Sequence, residues 1–250
     1  MSNRHDQYDG VADRYDQTFK FLPSREHIEA FSLYRLLGDL SGRSILDLAC
    51  GTGIFTRAIR RWGAARVVGV DISEDMVRVA RAHEAEAPLG LEYVVGDAAT
   101  LAKLGQFDCA VAMHLLGYAT SRDALVQMGK SVARNLEPGG RFIAAIAHPE
   151  LSRTPGYYRK YGIEFFLDEN VKDGDVLHFS LHLGDTATPR LTGIYWTLDT
   201  VASAMEEAGF SGVRWVNPEL SEQGRAQHGE AFWEDFLRKQ PVIFLDCTKA

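Results

Sequence analysis

The sequence is poor in cysteine, with three residues in a chain of 250. Cys50, Cys109 and Cys247 lie in or beside apolar segments of strand type. No two of them have the paired spacing of a zinc site or of a disulfide framework. We therefore expect three buried, reduced thiols and no metal site.

The sequence also lacks a long apolar run and an excess of basic residues. No stretch approaches the roughly 18 apolar residues that a membrane helix requires, and the first ten residues lack the apolar segment of a secretory signal. The 27 Lys and Arg against 34 Asp and Glu give a net charge of −7, which argues against a nucleic acid or an acidic membrane as partner. We expect a cytoplasmic α/β protein that is a monomer or a homodimer.

The most informative stretch begins with an apolar run at residues 45–49, which predicts a short buried strand. A glycine-containing turn follows at 50–53, and residues 54–62 have helical spacing. A second strand at 66–70 ends on Asp71. This order predicts a βαβ unit that receives a nucleotide-like ligand on the turn after its first strand.

The details of the turn indicate which ligand. A turn that binds a pyrophosphate needs a third glycine, and Thr56 occupies that position after Gly51 and Gly53. Asp47 precedes the turn, where a carboxylate would repel a pyrophosphate but could accept a hydrogen bond from an ammonium group, directly or through water. Asp71 follows Gly53 by 18 residues, close to the spacing of an acid that binds ribose hydroxyls. An adenosine with a cationic amino-acid tail and no phosphate, S-adenosylmethionine, fits this description.

Three segments resemble motifs of the class I S-adenosylmethionine-dependent methyltransferases: Asp-Leu-Ala-Cys-Gly-Thr-Gly at 47–53, Val-Val-Gly-Val-Asp-Ile-Ser at 67–73 and Val-Val-Gly-Asp-Ala at 94–98. The resemblance covers most of residues 41–147 and departs from the family at Ala49, where glycine is usual. It implies a Rossmann-like, doubly wound sheet of about seven strands with an antiparallel last strand. It also implies a domain at 41–250, preceded by an N-terminal helical lid at 1–40.

The resemblance implies a set of cofactor-binding residues. Ile72 and Met76 would clamp the adenine, Asp97 would accept from its amino group, and Arg25 either pairs with the cofactor carboxylate or is a surface residue. The N-terminal tyrosines either close over the cofactor or pack a helix on the sheet. The predicted set is Tyr15, Arg25, Asp47, Ala49, Gly51, Gly53, Asp71, Ile72, Met76, Asp97, Ala98 and Met113.

Two histidines follow strands and are candidate general bases. His114 lies in the segment 113–118, which has neither the Asn/Asp-Pro-Pro-aromatic sequence of nucleic-acid amino-methyltransferases nor the acids that hold magnesium. It is either a base or a wall of the methionine pocket, and we favour the wall. His148 follows the fifth strand, and we rank it slightly above His114 as a base.

Residues 149–197 form an insertion that we expect to cover the acceptor, with a hairpin of strands at 176–183 and 191–196. Its aromatic residues suit a flat, partly apolar acceptor, although a dimer interface or a simple flap core would explain them too. The predicted acceptor-binding residues are Tyr8, Tyr118, His148, Tyr158, Tyr195 and Trp196.

These observations predict a small-molecule methyltransferase. Nitrogen is the favoured acceptor atom because no constellation of bases stands out, with carbon and oxygen possible. The N-terminal Tyr-Asp segment and the C-terminal Trp-Glu-Asp-Phe-Leu and Pro-Val-Ile segments resemble secondary-metabolite enzymes, including the toxoflavin-pathway N-methyltransferase group. The alternatives are an NAD-dependent oxidoreductase on the same fold and a non-catalytic cofactor-binding scaffold.

Overall fold

The computed structural model describes residues 12–15 and 17–250. The strands are β1 (Ser44–Leu48), β2 (Arg66–Asp71), β3 (Glu92–Val95), β4 (Phe107–Met113), β5 (Leu136–Ala147), β6 (Ile163–Phe166), β7 (Val176–Leu183), β8 (Thr186–Ala187), β9 (Leu191–Ile194), β10 (Phe210–Val216) and β11 (Val242–Lys249). The α-helices are α1 (Ala12–Tyr15), α2 (Thr18–Phe21), α3 (Phe31–Leu37), α4 (Ile54–Arg61), α5 (Glu74–Glu86), α6 (Arg122–Asn135), α7 (Leu198–Glu207), α8 (Glu222–His228) and α9 (Glu230–Arg238).

The central sheet has seven strands in the order β10-β11-β5-β4-β1-β2-β3. Strands β1 to β5 pair in parallel, and β11 lies antiparallel between β5 and β10. The predicted Rossmann-like sheet with an antiparallel last strand is therefore confirmed. Because the strand order reverses between β1 and β4, their carboxyl ends flank the crevice where open α/β sheets bind ligands.

Both faces of the sheet are covered, so its strands are apolar on both sides. Successive residues of β1 illustrate this, since Ile45 belongs to one buried apolar cluster while Leu46 and Leu48 belong to the other. The hydroxyls of Ser73, Ser121, Thr197 and Ser221 cap the helices by accepting from backbone N–H groups, as Ser, Thr, Asp and Asn do at helix starts.

The apolar spacing of residues 25–40, with Ser24 as a candidate N-cap, predicts a single helix there, and the structure differs from it. The chain forms a π-helical turn, Arg25–Ala30, that continues into α3 and ends at Gly38, whose φ is +69°. Ser24, the expected N-cap, has a helical backbone and makes no side-chain cap hydrogen bond. The expected helix is thus shorter, and its first turn is wider than an α-helix.

The insertion after β5 forms a second sheet that is larger than the expected hairpin. Strand β7 pairs antiparallel with β6, β8 and β9, and the expected pairing of β7 with β9 is present. The second strand of the hairpin ends at Ile194, two residues before the expected end. The expected long loop between these strands contains β8.

No helix among the described residues has the length and apolar character needed to cross a bilayer. All three cysteines are buried and free of disulfide bonds, as the sequence predicts.

Candidate active site

The glycine turn between β1 and α4 has an unusual backbone. Ala49, Gly51 and Gly53 have φ values of +56°, +56° and +79°. A Cβ atom added at Gly53 would overlap the Tyr93 hydroxyl and ring, so a side chain at this position would require Tyr93 or the turn to move. Ala49 shows that the family's usual glycine can be replaced by alanine here, although a left-handed alanine costs about 1–2 kcal/mol.

Beneath the turn, Asp47 is fully buried, with 1% of its surface exposed. Burial raises the pKa of this carboxyl to about 7, despite a hydrogen bond from the Thr56 hydroxyl at 2.6 Å and with a smaller contribution from Asp71. Thr56, which replaces the third glycine of a dinucleotide turn, therefore helps to hold the acid. A buried acid at this position opposes a pyrophosphate and suits a cation.

Asp71 joins the turn to the end of β2. Its carboxylate accepts from the Gly51 N–H at 2.8 Å and from the Ser73 N–H at 3.0 Å. Burial raises the pKa of Asp71, and these backbone donors act against the rise. A carboxylate has about four lone-pair sites, so it can accept further hydrogen bonds from a ligand hydroxyl.

The predicted adenine-side residues lie around this acid. Ile72 is 36% exposed, whereas Met76 is buried in a cluster with Ala12, against which Tyr15 packs. Asp97 follows β3, the strand paired with β2, and its carboxylate accepts from the Ala99 N–H at 2.8 Å. The structure thus brings Ile72 and Asp97 to the same edge of the sheet as Asp71.

A polar chain of three side chains lies at the carboxyl end of β4. Arg25 Nη1 donates to Glu29 Oε2 at 2.7 Å, and His114 Nε2 lies 2.9 Å from the same oxygen. Burial alone would raise the pKa of Glu29, but the Arg25 charge and the His114 contact outweigh it and lower that pKa to about 2. Because the ionised carboxylate can only accept, His114 Nε2 carries a proton and donates to it.

His114 has a φ of +68°, in the left-handed region that few non-glycine residues adopt. Its N–H donates to Ala145 O on β5 at 2.9 Å, which fixes the residue at the end of the two strands. A strained backbone of this kind persists only where the surroundings determine it, and it is frequent at functional sites.

The polar chain opens onto a cleft of about 940 Å³, including the part that is open to solvent. Most of its wall is apolar or aromatic, and strands β5, β6, β7 and β9 contribute to it. The cleft is lined by Tyr15, Arg25, Glu29, His114, Gly117, Tyr118, Ile146, Ala147, Ile163, Phe165, Leu177, Phe179, Leu181, Gly193, Ile194, Tyr195, Trp196, Pro241 and Val242.

Two glycines allow the second sheet to approach the end of β4 closely. A Cβ added at Gly193 would lie 3.3 Å from Gly117 O, and one added at Gly117 would lie 3.9 Å from Ile194 O. The inserted sheet can therefore form one wall of the cleft while the central sheet forms the other.

A narrower cleft runs along the glycine turn. Tyr15 and Arg25 line both clefts, so the N-terminal region lies at their junction. The narrower cleft is lined by Tyr15, Thr18, Phe19, Arg25, Ala49, Cys50, Gly51, Thr52, Ile54, Phe55 and Met113. Of the predicted cofactor residues, Tyr15, Arg25, Ala49, Gly51 and Met113 meet here.

The predicted acceptor-binding residues divide into two groups. Tyr118, Tyr195 and Trp196 line the larger cleft, whereas Tyr158 and His148 are absent from its described lining. Tyr158 is 2% exposed, and its hydroxyl donates to Lys239 O. Tyr8 lies outside the described residues.

His148 has a local partner in the turn after β5. Its Nδ1 accepts from the Glu150 N–H at 3.0 Å, and burial lowers the pKa of the imidazole. The neutral ring therefore carries its proton on Nε2, and its lone pair is already engaged by the backbone.

Residues 45–140 match the family described as a methyltransferase domain.

Curated relatives share only part of their length with this chain. It is 32% identical to the ubiquinone biosynthesis O-methyltransferase of Xanthomonas oryzae pv. oryzae (strain PXO99A) over 122 residues, and this aligned region covers 48% of each protein. It is 30% identical over 164 residues to the demethylmenaquinone methyltransferase of Lactococcus lactis subsp. lactis, which covers 63% of each. The chain spans about half the length of the first curated relatives that it matches.

A solved structure shares the fold over almost the whole chain. The S-adenosylmethionine-dependent methyltransferase from Clostridium acetobutylicum superposes with a TM-score of 0.64 and 17% sequence identity, covering 97% of this chain and 99% of that one. The chain therefore has the Rossmann-like fold of that protein.

The predicted site residues did not include Glu29, which precedes the matched residues 45–140. The available signal was its spacing of four residues from Arg25 within a predicted helix, which places both side chains on one face. Phe165 and Phe179 belong to the aromatic residues of the insertion that were expected to suit the acceptor, but they were not among the individually predicted acceptor-binding residues.

Proposed function

We propose that this chain transfers a methyl group from S-adenosylmethionine to the deprotonated hydroxyl of a small, largely apolar aromatic acceptor. The observation that carries the proposal is the hydrogen-bonded chain Arg25–Glu29–His114 in the wall of an apolar cleft. This cleft adjoins the glycine turn through Tyr15 and Arg25, which line both clefts.

The residues at the turn fit S-adenosylmethionine, which supplies an electrophilic methyl group on a sulfonium centre. Asp71 would hold the ribose hydroxyls with the lone pairs that its two backbone donors leave free, and Asp47 would accept from the ammonium group, directly or through water, because both carboxyls lie at the turn. Arg25 would hold the carboxylate. The adenine would be held by Ile72, Met76, Asp97 and Ala98. The description of the Clostridium acetobutylicum protein as S-adenosylmethionine-dependent supports this cofactor.

We propose His114 as the general base rather than His148, which ranks slightly higher from the sequence alone. With its Nε2 proton donated to Glu29, a neutral His114 ring has its lone pair on Nδ1, which would accept the proton of the acceptor hydroxyl. Glu29 stabilises the imidazolium that results, and Arg25 keeps Glu29 ionised.

We propose oxygen as the acceptor atom in preference to nitrogen. The sequence favoured nitrogen because no constellation of bases stood out, and the His114–Glu29 pair removes that reason. A phenolic hydroxyl has a pKa near 10, so its attack on a methyl group benefits from a base at neutral pH. The relative from Xanthomonas oryzae, named as an O-methyltransferase, supports the same choice. We therefore do not assign the chain to the toxoflavin-type N-methyltransferases.

The inserted sheet would hold the acceptor against this base. Phe165, Phe179 and Tyr195 contribute aromatic surface to the cleft, and aromatic pairs add about 0.5–1.5 kcal/mol each beyond area burial. The walls would also exclude water and orient the hydroxyl, which is the main contribution an enzyme makes when the methyl donor is intrinsically reactive. We propose residues 1–40 as a lid and 149–197 as the acceptor cover.

The test compares two histidine variants. His114→Asn keeps a residue that tolerates a left-handed backbone. It should lower the rate of S-adenosylhomocysteine release with a simple phenol by about 10²- to 10⁴-fold. Affinity for S-adenosylhomocysteine, measured by calorimetry, should change little. His148→Asn is the matched control and should keep its rate.

Slow turnover by His148→Asn with normal turnover by His114→Asn would reverse the assignment of the base. Calorimetric preference for NAD over S-adenosylhomocysteine in the wild-type protein would reject the methyltransferase proposal as a whole. Binding of S-adenosylmethionine without turnover on any acceptor in a cell extract would instead favour the scaffold.

A further inference from the structure

The two buried tryptophans among the described residues differ in whether their indole N–H groups have a hydrogen-bond partner. Trp233 is fully buried, and its Nε1 donates to Gly224 O at 2.9 Å. Trp196 is 8% exposed, and its Nε1 is sealed from solvent without a hydrogen-bond partner among the described residues. A buried donor without a partner is rare in native proteins and calls for an explanation.

Trp196 belongs to the lining of the large cleft. The polar side chains around that cleft have other engagements, since Tyr195 Oη donates to Pro149 O, and Glu29 accepts from both Arg25 and His114. Ile146 and Ile194, which line the cleft with Trp196, have apolar side chains that offer no acceptor. The described residues therefore supply no acceptor for the indole N–H, and a ligand in the cleft can supply one when the buried Nε1 turns toward it.

The lining also restricts what kind of acceptor atom the ligand can bring. A carboxylate would have to be desolvated in a largely apolar wall, next to the ionised Glu29. A neutral carbonyl oxygen accepts a hydrogen bond without introducing a charge. The lining of the cleft therefore favours a neutral oxygen over an anionic one as the hydrogen-bond acceptor.

We infer that the methyl acceptor is a hydroxylated aromatic compound with a neutral carbonyl group, whose oxygen receives the hydrogen bond of Trp196 Nε1. This inference rests on the proposed function and adds the substrate class. Trp196 is thus a specificity-determining residue, which selects carbonyl-bearing acceptors because a compound without the carbonyl leaves the indole N–H unpaired.

The experiment uses two phenols of similar size, 4-hydroxyacetophenone and 4-ethylphenol, of which only the first has a carbonyl. Binding of each is measured by calorimetry with the wild-type protein and with Trp196→Phe, both in the presence and in the absence of S-adenosylhomocysteine. Wild-type protein should bind the ketone about fivefold more tightly. Trp196→Phe should bind both phenols with nearly equal affinity.

The ratio of the two affinities is the decisive readout, because the loss of indole volume affects both phenols alike. A ketone preference that persists in Trp196→Phe would overturn the inference, and so would a wild-type protein that binds S-adenosylhomocysteine and neither phenol. Failure to bind S-adenosylhomocysteine would instead count against the proposed function, while the ratio still reports on Trp196.

Thermal unfolding of the ligand-free protein provides a second readout, with Trp233→Phe as the matched variant. Both substitutions remove the same atoms, but only Trp233→Phe breaks an existing hydrogen bond. We expect Trp233→Phe to lower Tm more than Trp196→Phe does. An equal or larger loss of Tm in Trp196→Phe would show that its N–H already has a partner, and would overturn the inference.

Discussion

Asp47 should make the fold less stable as the pH rises from about 4 to about 7. Its pKa is about 7 in the folded chain against an ordinary value of 3.8, and the main cause is burial. The folded state therefore holds a proton that the unfolded state releases, so the contribution of Asp47 to stability is highest below pH 4 and falls between pH 4 and 7. The difference between the two pKa values corresponds to about 4 kcal/mol.

Asp47→Asn removes this dependence while keeping an oxygen that can accept from Thr56. The free energy of unfolding of the variant, minus that of the wild type, should grow by about 1.4 kcal/mol per pH unit between pH 4.5 and 6.5 and level off above pH 7.5. Any cost of burying the amide adds a constant offset. Urea titrations of both ligand-free proteins at matched pH values measure the difference.

Asp108→Asn provides the control. The backbone N–H of Ser44 and the Arg43 charge lower the pKa of Asp108 despite partial burial, so this carboxyl contributes stability above the pH at which it ionises. The free energy of unfolding of Asp108→Asn, minus that of the wild type, should therefore stay constant between pH 4.5 and 8.5. A flat difference for Asp47→Asn as well would refute the reasoning, because it would show that Asp47 ionises like an exposed acid.

Two further pairs of substitutions test the fold. Gly53→Ala should cost about 3 kcal/mol in urea unfolding, because the new Cβ meets Tyr93, whereas Gly38→Ala, also at positive φ but with open space, should cost about 1 kcal/mol. Equal losses would show that the turn can move away from Tyr93. Asp246→Ala should cost about 3 kcal/mol because a carboxylate buried between two guanidinium groups is lost, and Arg214→Ala, at an exposed arginine, should cost less than 1 kcal/mol. Equal losses of unfolding free energy in Asp246→Ala and Arg214→Ala would show that the burial of Asp246 does not determine the effect.

The first βαβ unit could be predicted because its signals are local. The apolar run of β1, the glycines of the turn and the acid at the end of β2 lie within 28 residues, and each indicates a conformation by itself. The order of the sheet followed from the family resemblance, because the position of β11 between β5 and β10 depends on contacts between distant segments.

The inserted sheet was predicted only in part, for a physical reason. The hairpin partners β7 and β9 are close in sequence and carry β-branched or aromatic residues, so their pairing could be expected. Strand β6 pairs with β7 across the nine residues 167–175, and a connection of this length does not fix the register as a two-residue hairpin turn does. Of the predicted acceptor residues, Tyr195 and Trp196 follow β9 directly and line the cleft.

Glu29 shows most clearly where reasoning from the sequence ends. A glutamate four residues after an arginine in a helical pattern is usually an exposed ion pair that contributes little. Here a π-helical turn directs both side chains into the interior, where Glu29 is 2% exposed and reaches a histidine 85 residues away. A π-helical turn depends on tertiary contacts rather than on local composition, so no local pattern predicts it. The proposed base at His114 therefore became recognisable only when its partner was located in space.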